Sequence, residues 1–203
     1  MLEDTGERVI PKEMDPMNGL LLEHIARYHF SEPYVEGRVL DIACGVGYGA
    51  AHLAKKKKKH ISEFLGVDIC EQTIQYAIHN YYHPLLSLQV GDIMDERWVR
   101  SVGQFDTIVS FETIEHVPSV QTFMNHIYNL LAPGGTLVLS TPFGQGMDHP
   151  SGSPFHYFQM TEEEFKGLFN DFSKVELFYQ NGVTIEPPRE GLYYPLGVAV
   201  CRK

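Results

Sequence analysis

Residues 39–49, VLDIACGVGYG, join an apolar run that ends at Asp41 to a glycine-rich break that leads directly into a helical segment. Gly45 and Gly47 permit a tight turn there and let the backbone approach a ligand closely. The N-terminus of the helix that follows offers unpaired N–H groups to an anion. The stretch therefore predicts a strand, a turn and a helix that together bind a nucleotide or an amino-acid carboxylate.

The alternation of short apolar runs with helical segments continues along the chain. The runs are RVLDI, FLGVD, LSLQV, FDTIVSF and TLVLSTP, and the helical segments between them are YGAAHLAKK, EQTIQYAIHNYY and VQTFMNHIYNLLAPGG. This order predicts an α/β fold, doubly wound, with helices on both faces of a mostly parallel sheet. Two final runs, KVELFYQ and LGVAVCRK, are expected to pair antiparallel at one edge, and Thr161 with Glu164 forms a capping box for the helix before them. No long linker divides the chain, so residues 1–203 are interpreted as one domain.

Composition narrows the class of partner. The net charge of −10 over 203 residues makes nucleic acid an unfavoured partner, because phosphate binding relies on clustered Lys and Arg, and it favours a small substrate. The basic block at 55–59 is interpreted as a solvated connection between a helix and a strand. The three cysteines are scattered and indicate neither a disulfide framework nor a thiolate metal site.

The sequence also bears on location. No apolar run approaches the roughly 20 residues that a membrane span needs. The N-terminal residues, MLEDTGERVIPKEMD, are too charged for a secretory signal. We therefore expect a cytoplasmic protein without a membrane partner.

Acidic residues end the second and third apolar runs. Asp68 lies about 20 residues beyond Gly45, where an acid accepts hydrogen bonds from the ribose hydroxyls of an adenosine. Asp92 is placed to accept from an adenine amino group. Either residue alone fits a helix cap equally well. The series of three acids, with Asp41, favours the ligand interpretation.

Five motifs in this order resemble those of class I S-adenosylmethionine-dependent methyltransferases. They are VLDIACGVGYG, GVDIC, GDIMD, FDTIVSFETIEHV and LLAPGGTLVLSTP. The resemblance covers about residues 36–142, with 1–35 as an N-terminal lid or helix and 143–203 as a substrate loop, helix and final strands. It implies a Rossmann-like sheet of seven strands with an antiparallel last strand, and S-adenosylmethionine as cofactor.

The resemblance also assigns the cofactor-binding residues. They are Asp41, Ala43, Gly45, Gly47, Asp68, Ile69, Asp92, Ile93 and Phe111. Asp41 and the glycines would surround the methionine moiety, and Phe111 would lie near the transferred methyl. Ala43 departs from the family, which usually has glycine there, and only a slight shift of the cofactor is expected. NAD is the competing nucleotide, since GVGYGA fits its fingerprint, but the later motifs follow the methyltransferase order.

The segment 111–118, FETIEHVP, brings Glu112, Glu115 and His116 close together just after the fourth strand. Three interpretations are open. Glu115 and His116 are exposed turn residues and Glu112 is a cap, or His116 or Glu112 is a single general base, or the segment is a metal site that needs a further ligand. His156, in the loop after the fifth strand, is the candidate for that ligand.

The pattern E-x-x-E-H with a later histidine resembles small-RNA 3′-terminal 2′-O-methyltransferases and the O-methyltransferases of ubiquinone biosynthesis. It implies a divalent metal (Mn, Fe, Co, Zn or Mg) held by Glu112, Glu115, His116 and His156, with Glu112 and His116 also catalytic. Carboxylates with imidazoles suit Mn, Fe, Co or Zn better than Mg. Such an ion would activate an oxygen acceptor, so the expected substrate is a small vicinal diol, a sugar or glycan, or a catechol.

Three alternatives to this function stay open. They are an RNA 3′-end 2′-O-methyltransferase, a metal-independent enzyme with His116 or Glu112 as base, and a non-catalytic module that binds S-adenosylmethionine. The N-terminal segment looks like a bacterial subgroup often associated with glycan biosynthesis. That likeness suggests Arg8, Arg27 and Tyr28 as part of a lid, although Tyr28 also fits a core position and the two arginines fit solvated charges.

Overall fold

The structure is a computed structural model that describes residues 8–203. The α-helices of this range are α1 (Gly19–Ser31), α2 (Tyr48–Lys57), α3 (Glu71–Asn80), α4 (Glu96–Ser101), α5 (Val120–Leu130) and α6 (Glu162–Gly167). Its strands are β1 (Gly37–Ile42), β2 (Ile61–Asp68), β3 (Leu86–Val90), β4 (Phe105–Phe111), β5 (Leu131–Pro142), β6 (Lys174–Asn181), β7 (Thr184–Glu186) and β8 (Leu196–Arg202). Short 3₁₀ turns lie at Glu32–Tyr34 and Ile114–His116.

These strands form one sheet in the order β3-β2-β1-β4-β5-β8-β6-β7. The first five strands run parallel, whereas β8 lies antiparallel between β5 and β6. The predicted doubly wound α/β fold with an antiparallel last strand is therefore confirmed. The described range holds one strand more than the seven predicted. Gly182, at a φ of +55°, opens a two-residue turn that folds β7 back on β6.

Helices cover both faces of the sheet, as the alternation predicted. Helix α5 buries the stripe of Phe123, Ile127 and Leu130 in one apolar cluster. Helices α2 and α3 bury Leu53 and Ile74 in the other cluster. Each buried side chain of this size contributes about 1.5–3 kcal/mol to folding, so the two clusters hold the helices in place.

A local signal marks the start of helix α6. The predicted capping box is present: the Glu164 N–H donates to Thr161 Oγ1 at 3.2 Å, and the Thr161 N–H donates to Glu164 Oε2 at 2.8 Å. The basic block at 55–59 forms the last turn of α2 and the turn before β2, with most of its side chains exposed.

Among the residues that the structure describes, no helix has the length and apolar character needed to cross a membrane.

The contact between Tyr28 and Gly49 brings helix α1 close to α2. The Tyr28 ring fits over Gly49, where an added Cβ would come within 1.9 Å of the ring. The ring is fixed, because its hydroxyl donates to Asp41 Oδ2 at 3.1 Å and the side chain is buried. Glycine at position 49 therefore sets how closely the two helices approach.

We expect Gly49→Ala to destabilise the fold by about 1–3 kcal/mol, because the new methyl group must displace a packed ring. Gly167→Ala is the control, since a Cβ there meets nothing within 4 Å. The control should be neutral or stabilising by up to about 1 kcal/mol, as alanine favours helix. Urea unfolding of both variants measures the difference. A Gly49→Ala variant as stable as the wild type would contradict the packing described.

Candidate active site

The turn between β1 and α2 consists largely of left-handed backbone. Ala43, Gly45 and Gly47 have φ values of +57°, +55° and +80°. A Cβ added to Gly45 would meet nothing within 4 Å, and Gly45 lines the cleft at this edge of the sheet, so its backbone is open to a ligand. The Gly45 N–H donates to Asp68 Oδ2 at 3.0 Å. The glycine turn is thereby fixed to the end of β2.

Asp41 lies beneath this turn with only 1% of its surface exposed. Its Oδ2 accepts the Tyr28 hydroxyl at 3.1 Å, and its Oδ1 has no hydrogen-bond partner among the described residues. Burial raises the pKa of Asp41 to about 8, although the Tyr28 hydrogen bond acts in the opposite direction. A cationic group bound in the neighbouring cleft would favour the carboxylate through its charge.

Asp68 and Asp92 shape the ends of β2 and β3 rather than capping helices. Asp68 Oδ1 accepts the Cys70 N–H at 2.9 Å, and Cys70 is itself the N-cap of α3. Asp92 Oδ1 accepts the Met94 N–H at 2.7 Å, whereas Asp95 is the N-cap of α4. The helix-cap alternative for Asp68 and Asp92 is therefore wrong. Burial raises the pKa of Asp68, partly offset by the N–H groups that it accepts.

One cleft of about 850 Å³ unites most of the predicted residues. Of the nine predicted for the cofactor, those lining the cleft are Ala43, Gly45, Asp68, Ile69, Asp92, Ile93 and Phe111. Asp41 and Gly47 do not line it. The four predicted metal ligands, Glu112, Glu115, His116 and His156, line the same cleft.

Two histidines near the cleft were missed from the sequence. His24 lines it one turn before Tyr28, and burial, with a smaller effect of Arg27, lowers its pKa well below the usual value, so the imidazole is neutral. His126 on α5 makes a hydrogen bond through Nδ1 to the Ile93 carbonyl at 2.7 Å and supports the loop after β3. The i, i+4 spacing of His24 and Tyr28 is the sequence signal that could have placed His24 beside the cleft. No sequence signal indicates the role of His126, because its hydrogen-bond partner is a backbone carbonyl.

FETIEHVP forms a 3₁₀ turn at Ile114–His116 that directs polar groups into the cleft. Glu115 is 1% exposed, and its Oε2 accepts the Thr141 hydroxyl at 3.1 Å. Burial, reinforced by the nearby Glu112 charge, raises the pKa of Glu115 well above its usual range. The interpretation of Glu115 as an exposed turn residue is therefore wrong.

The loop that carries His156 is tied to this turn. The Tyr157 N–H donates to the Glu115 carbonyl at 2.9 Å. His116 Nδ1 lies 3.0 Å from the Phe155 carbonyl, which fixes Nδ1 as the protonated nitrogen of the neutral ring and leaves Nε2 as its acceptor. The His116 and His156 rings meet edge to face with centroids 4.7 Å apart. The hydrogen bond from His116 to the Phe155 carbonyl is the kind of support that metal-binding histidines usually receive.

The structure brings three of the four predicted metal ligands together. One ligand atom from each of Glu115, His116 and His156 lies within 4.8 Å of the other two. Glu112 lies outside this group, contrary to the four-ligand prediction. Its backbone is left-handed, with a φ of +51°, and its Oε1 accepts the Ser140 hydroxyl at 2.7 Å.

The residues predicted for a lid occupy different positions. Tyr28 is a buried part of the wall, in line with the core alternative. Arg27 is 1% exposed and donates through Nη1 to Gln180 Oε1 at 2.8 Å, so its interpretation as a solvated charge is wrong. Arg8 lines the cleft.

The conformation of Ala43 allows a direct test. A left-handed φ is strained for alanine and free for glycine, so Ala43→Gly should raise the free energy of unfolding by about 1 kcal/mol. Ala50→Gly, at a buried helical position in α2, is the control and should lower it by about 1 kcal/mol or more. Urea denaturation measures both values. A less stable Ala43→Gly variant would refute the left-handed assignment.

Comparison with known proteins places this arrangement in a family. A family model described as a methyltransferase domain matches residues 16–177. A Mycolicibacterium smegmatis protein named for S-adenosylmethionine-dependent methyl transfer is 30% identical over 169 residues, 81% of this chain and 62% of its own length. The mouse mitochondrial ubiquinone biosynthesis O-methyltransferase is 28% identical over 60% of this chain and 33% of its own length. The chain thus spans less than two thirds of these curated relatives.

Solved structures agree on the fold. A SAM-dependent methyltransferase from Thermotoga maritima, described as a possible histamine N-methyltransferase, superposes with a TM-score of 0.65 at 18% identity and covers 90% of both chains. Such identity shows the fold alone. With the family match over most of its length, the chain belongs to the methyltransferase domain family, within the class I S-adenosylmethionine-dependent methyltransferases.

Proposed function

We propose that this protein is an S-adenosylmethionine-dependent O-methyltransferase whose acceptor oxygen is activated at the group formed by Glu115, His116 and His156. The observation that carries the proposal is the convergence of these three side chains in the cleft that also contains the glycine turn and Asp68. Family membership supports methyl transfer, and the convergent group supports an oxygen acceptor.

The residues present fit S-adenosylmethionine. Asp41 Oδ1 is a buried acceptor without a partner among the described residues, and Ile42 and Ala43 next to it line the cleft, so the charge of the methionine ammonium would stabilise the Asp41 carboxylate. Asp68, Asp92 and Ile93 line the cleft, which supports Asp68 as the partner of the ribose hydroxyls and the loop of Asp92 and Ile93 as the adenine site. When bound, the cofactor supplies an electrophilic methyl group on a sulfonium. The protein's task is to align an acceptor with that methyl near Phe111, and alignment alone can lower a barrier by about 7–11 kcal/mol.

The group formed by Glu115, His116 and His156 fits a divalent metal ion. Two imidazoles and a carboxylate are a ligand set that Zn, Fe, Co and Mn accept readily. Glu115 is buried with Glu112 close by, so a bound cation would offset the repulsion that raises its pKa. When bound, such an ion would lower the pKa of a ligated hydroxyl. Glu112 lines the same cleft, where it would serve as the general base of a metal-independent reaction.

The proposed class of acceptor follows from the bound ion, from a relative and from the net charge of the chain. Adjacent hydroxyls can both reach one ion, which favours a vicinal diol, a sugar or glycan, or a catechol. The similarity to an O-methyltransferase of ubiquinone biosynthesis supports oxygen as the acceptor atom. RNA is less favoured, because the net charge is −10 and the basic block 55–59 ends α2, at the far end of that helix from the cleft.

Removing the metal ion or one of its ligands should slow this reaction strongly. We expect EDTA, Glu115→Ala and His156→Ala each to reduce kcat by at least about 100-fold. Added Mn²⁺ or Zn²⁺ should restore the activity of the EDTA-treated wild type only. His79→Ala, an exposed histidine on α3, is the control and should retain activity. Methyl transfer to catechols, nucleotide sugars, histamine and RNA 3′ ends is measured.

The outcomes of this panel separate the alternatives. Full activity in EDTA and in both variants would remove the metal. Loss of activity in Glu112→Gln alone would favour the general-base mechanism. Transfer only to histamine would overturn the oxygen acceptor, transfer only to RNA would select the RNA alternative, and cofactor binding without any transfer would favour a non-catalytic module.

Cofactor binding should depend on pH through Asp41. The ammonium of the cofactor favours the carboxylate, so binding releases a proton wherever the free protein has Asp41 protonated, which is below pH about 8. Affinity should therefore rise by roughly ten- to thirty-fold between pH 6 and 7.5. Calorimetric titration measures it, with Asp41→Asn as the variant that loses the dependence. A flat profile for the wild type would contradict the role of Asp41.

A further inference from the structure

A second group of metal-binding side chains lies outside the cleft, where α1 meets α2. His29 is in the last turn of α1, Glu32 follows in the 3₁₀ turn, and His52 is on α2. His29 Nδ1 and His52 Nε2 each lie 2.8 Å from the same oxygen, Glu32 Oε1. The two rings meet edge to face with centroids 4.5 Å apart. None of the three residues lines the active-site cleft.

The backbone beneath this group is fixed by packing. Tyr28, next to His29, is buried against Gly49, which lies one turn before His52 on α2. The two histidines therefore project from helices whose approach is already set. The group does not depend on ordering a loop, so the entropic cost of assembling it is small.

The chemistry of the group suits a transition metal. One ligand atom from each residue lies within 4.8 Å of the other two, and a tetrahedral ion with bonds of 2.0–2.2 Å needs ligand atoms about 3.3 Å apart. Both imidazole nitrogens lie 2.8 Å from Glu32 Oε1, so a bound ion would require each of them to move away from that oxygen by about 0.5 Å. Neutral imidazole keeps one proton, so each ring moves it to its other nitrogen and binds with the nitrogen that faces Glu32.

Partial exposure makes the group accessible. The side chains of Glu32 and His52 are each 27% exposed, and that of His29 is 53% exposed. An ion can therefore enter from solvent, and water can fill its remaining coordination position. Two imidazoles with one carboxylate favour Zn²⁺, Co²⁺, Ni²⁺ or Cu²⁺ over Mg²⁺ and Ca²⁺, which prefer oxygen ligands.

We propose that His29, Glu32 and His52 form a second divalent-metal site, separate from the Glu115 group, that fastens helix α1 to helix α2. Helix α1 carries Tyr28, which hydrogen-bonds Asp41, and α2 begins at the glycine turn. An ion at this site links the two helices that frame the cofactor end of the cleft. The site is structural and does not rest on the proposed methyl transfer.

Metal stoichiometry tests the site directly. The protein is stripped with EDTA, dialysed, and titrated with Co²⁺ and Zn²⁺, with bound metal measured by elemental analysis and by Co²⁺ absorption. The expected result is that His52→Ala and Glu32→Gln each bind one equivalent less than the wild type. The control His79→Ala should bind the same number as the wild type, because His79 is exposed and lies outside the group.

The variant His116→Ala/His156→Ala separates this site from the one in the cleft. It should still bind one equivalent, and Zn²⁺ at about 100 times Kd should raise its Tm by about 5–10 °C. Adding His52→Ala to that background should remove both effects. Equal stoichiometry in the wild type and His52→Ala, or no bound ion in the His116→Ala/His156→Ala background, would overturn the proposal and leave the three residues as a hydrogen-bonded group only.

Discussion

The Tyr28 side chain is the contact on which the cofactor end of the structure depends. Its ring packs edge to face on Tyr48, at the start of α2, and on Phe111, at the end of β4, with centroids 5.5 and 5.1 Å away. Its hydroxyl donates to Asp41 at the end of β1. Burial and the nearby Asp41 carboxyl raise the pKa of Tyr28, so the hydroxyl stays protonated. One side chain thus positions the N-terminal helix, the glycine turn and the strand that leads to Glu112.

Two neighbouring carboxyl groups, those of Glu112 and Glu115, dominate the electrostatics of the other end of the cleft. Glu115 is enclosed by β5 and the loop that follows it, and it has a hydroxyl donor but no cationic partner within hydrogen-bonding distance among the described residues. An isolated buried carboxylate is costly unless it is protonated or meets a positive charge. Glu112 adds to that cost through its own charge and is held in a strained backbone conformation. Strain and repulsion at one turn are typical of sites that are completed by a ligand.

The sequence predicted the features that repeat along the chain. Periodicity predicts strands that end at or within two residues of Asp41, Asp68 and Asp92, and parallel strands bring their carboxyl ends to one edge. It could not predict that Arg27 turns inward, since its partner Gln180 is distant in sequence. Nor could it predict the left-handed backbone at Glu112, because any non-glycine residue is expected to avoid that conformation. Helix α4 was also missed, because a six-residue helix has too few turns to show a periodicity.

The position of β8 has a consequence for the order of assembly. β5 and β6 do not pair with each other, and each is hydrogen-bonded to β8, which follows both in the sequence. The pairs from β1 to β5 can form as soon as those strands exist. The β6–β7 hairpin, in contrast, has no place in the sheet until β8 arrives, and it carries Gln180, the partner of Arg27. During synthesis the parallel half of the sheet therefore exposes the unpaired edge of β5. Until β8 is made, that edge can pair with strands of other chains, and a chaperone that binds the nascent protein would prevent such pairing.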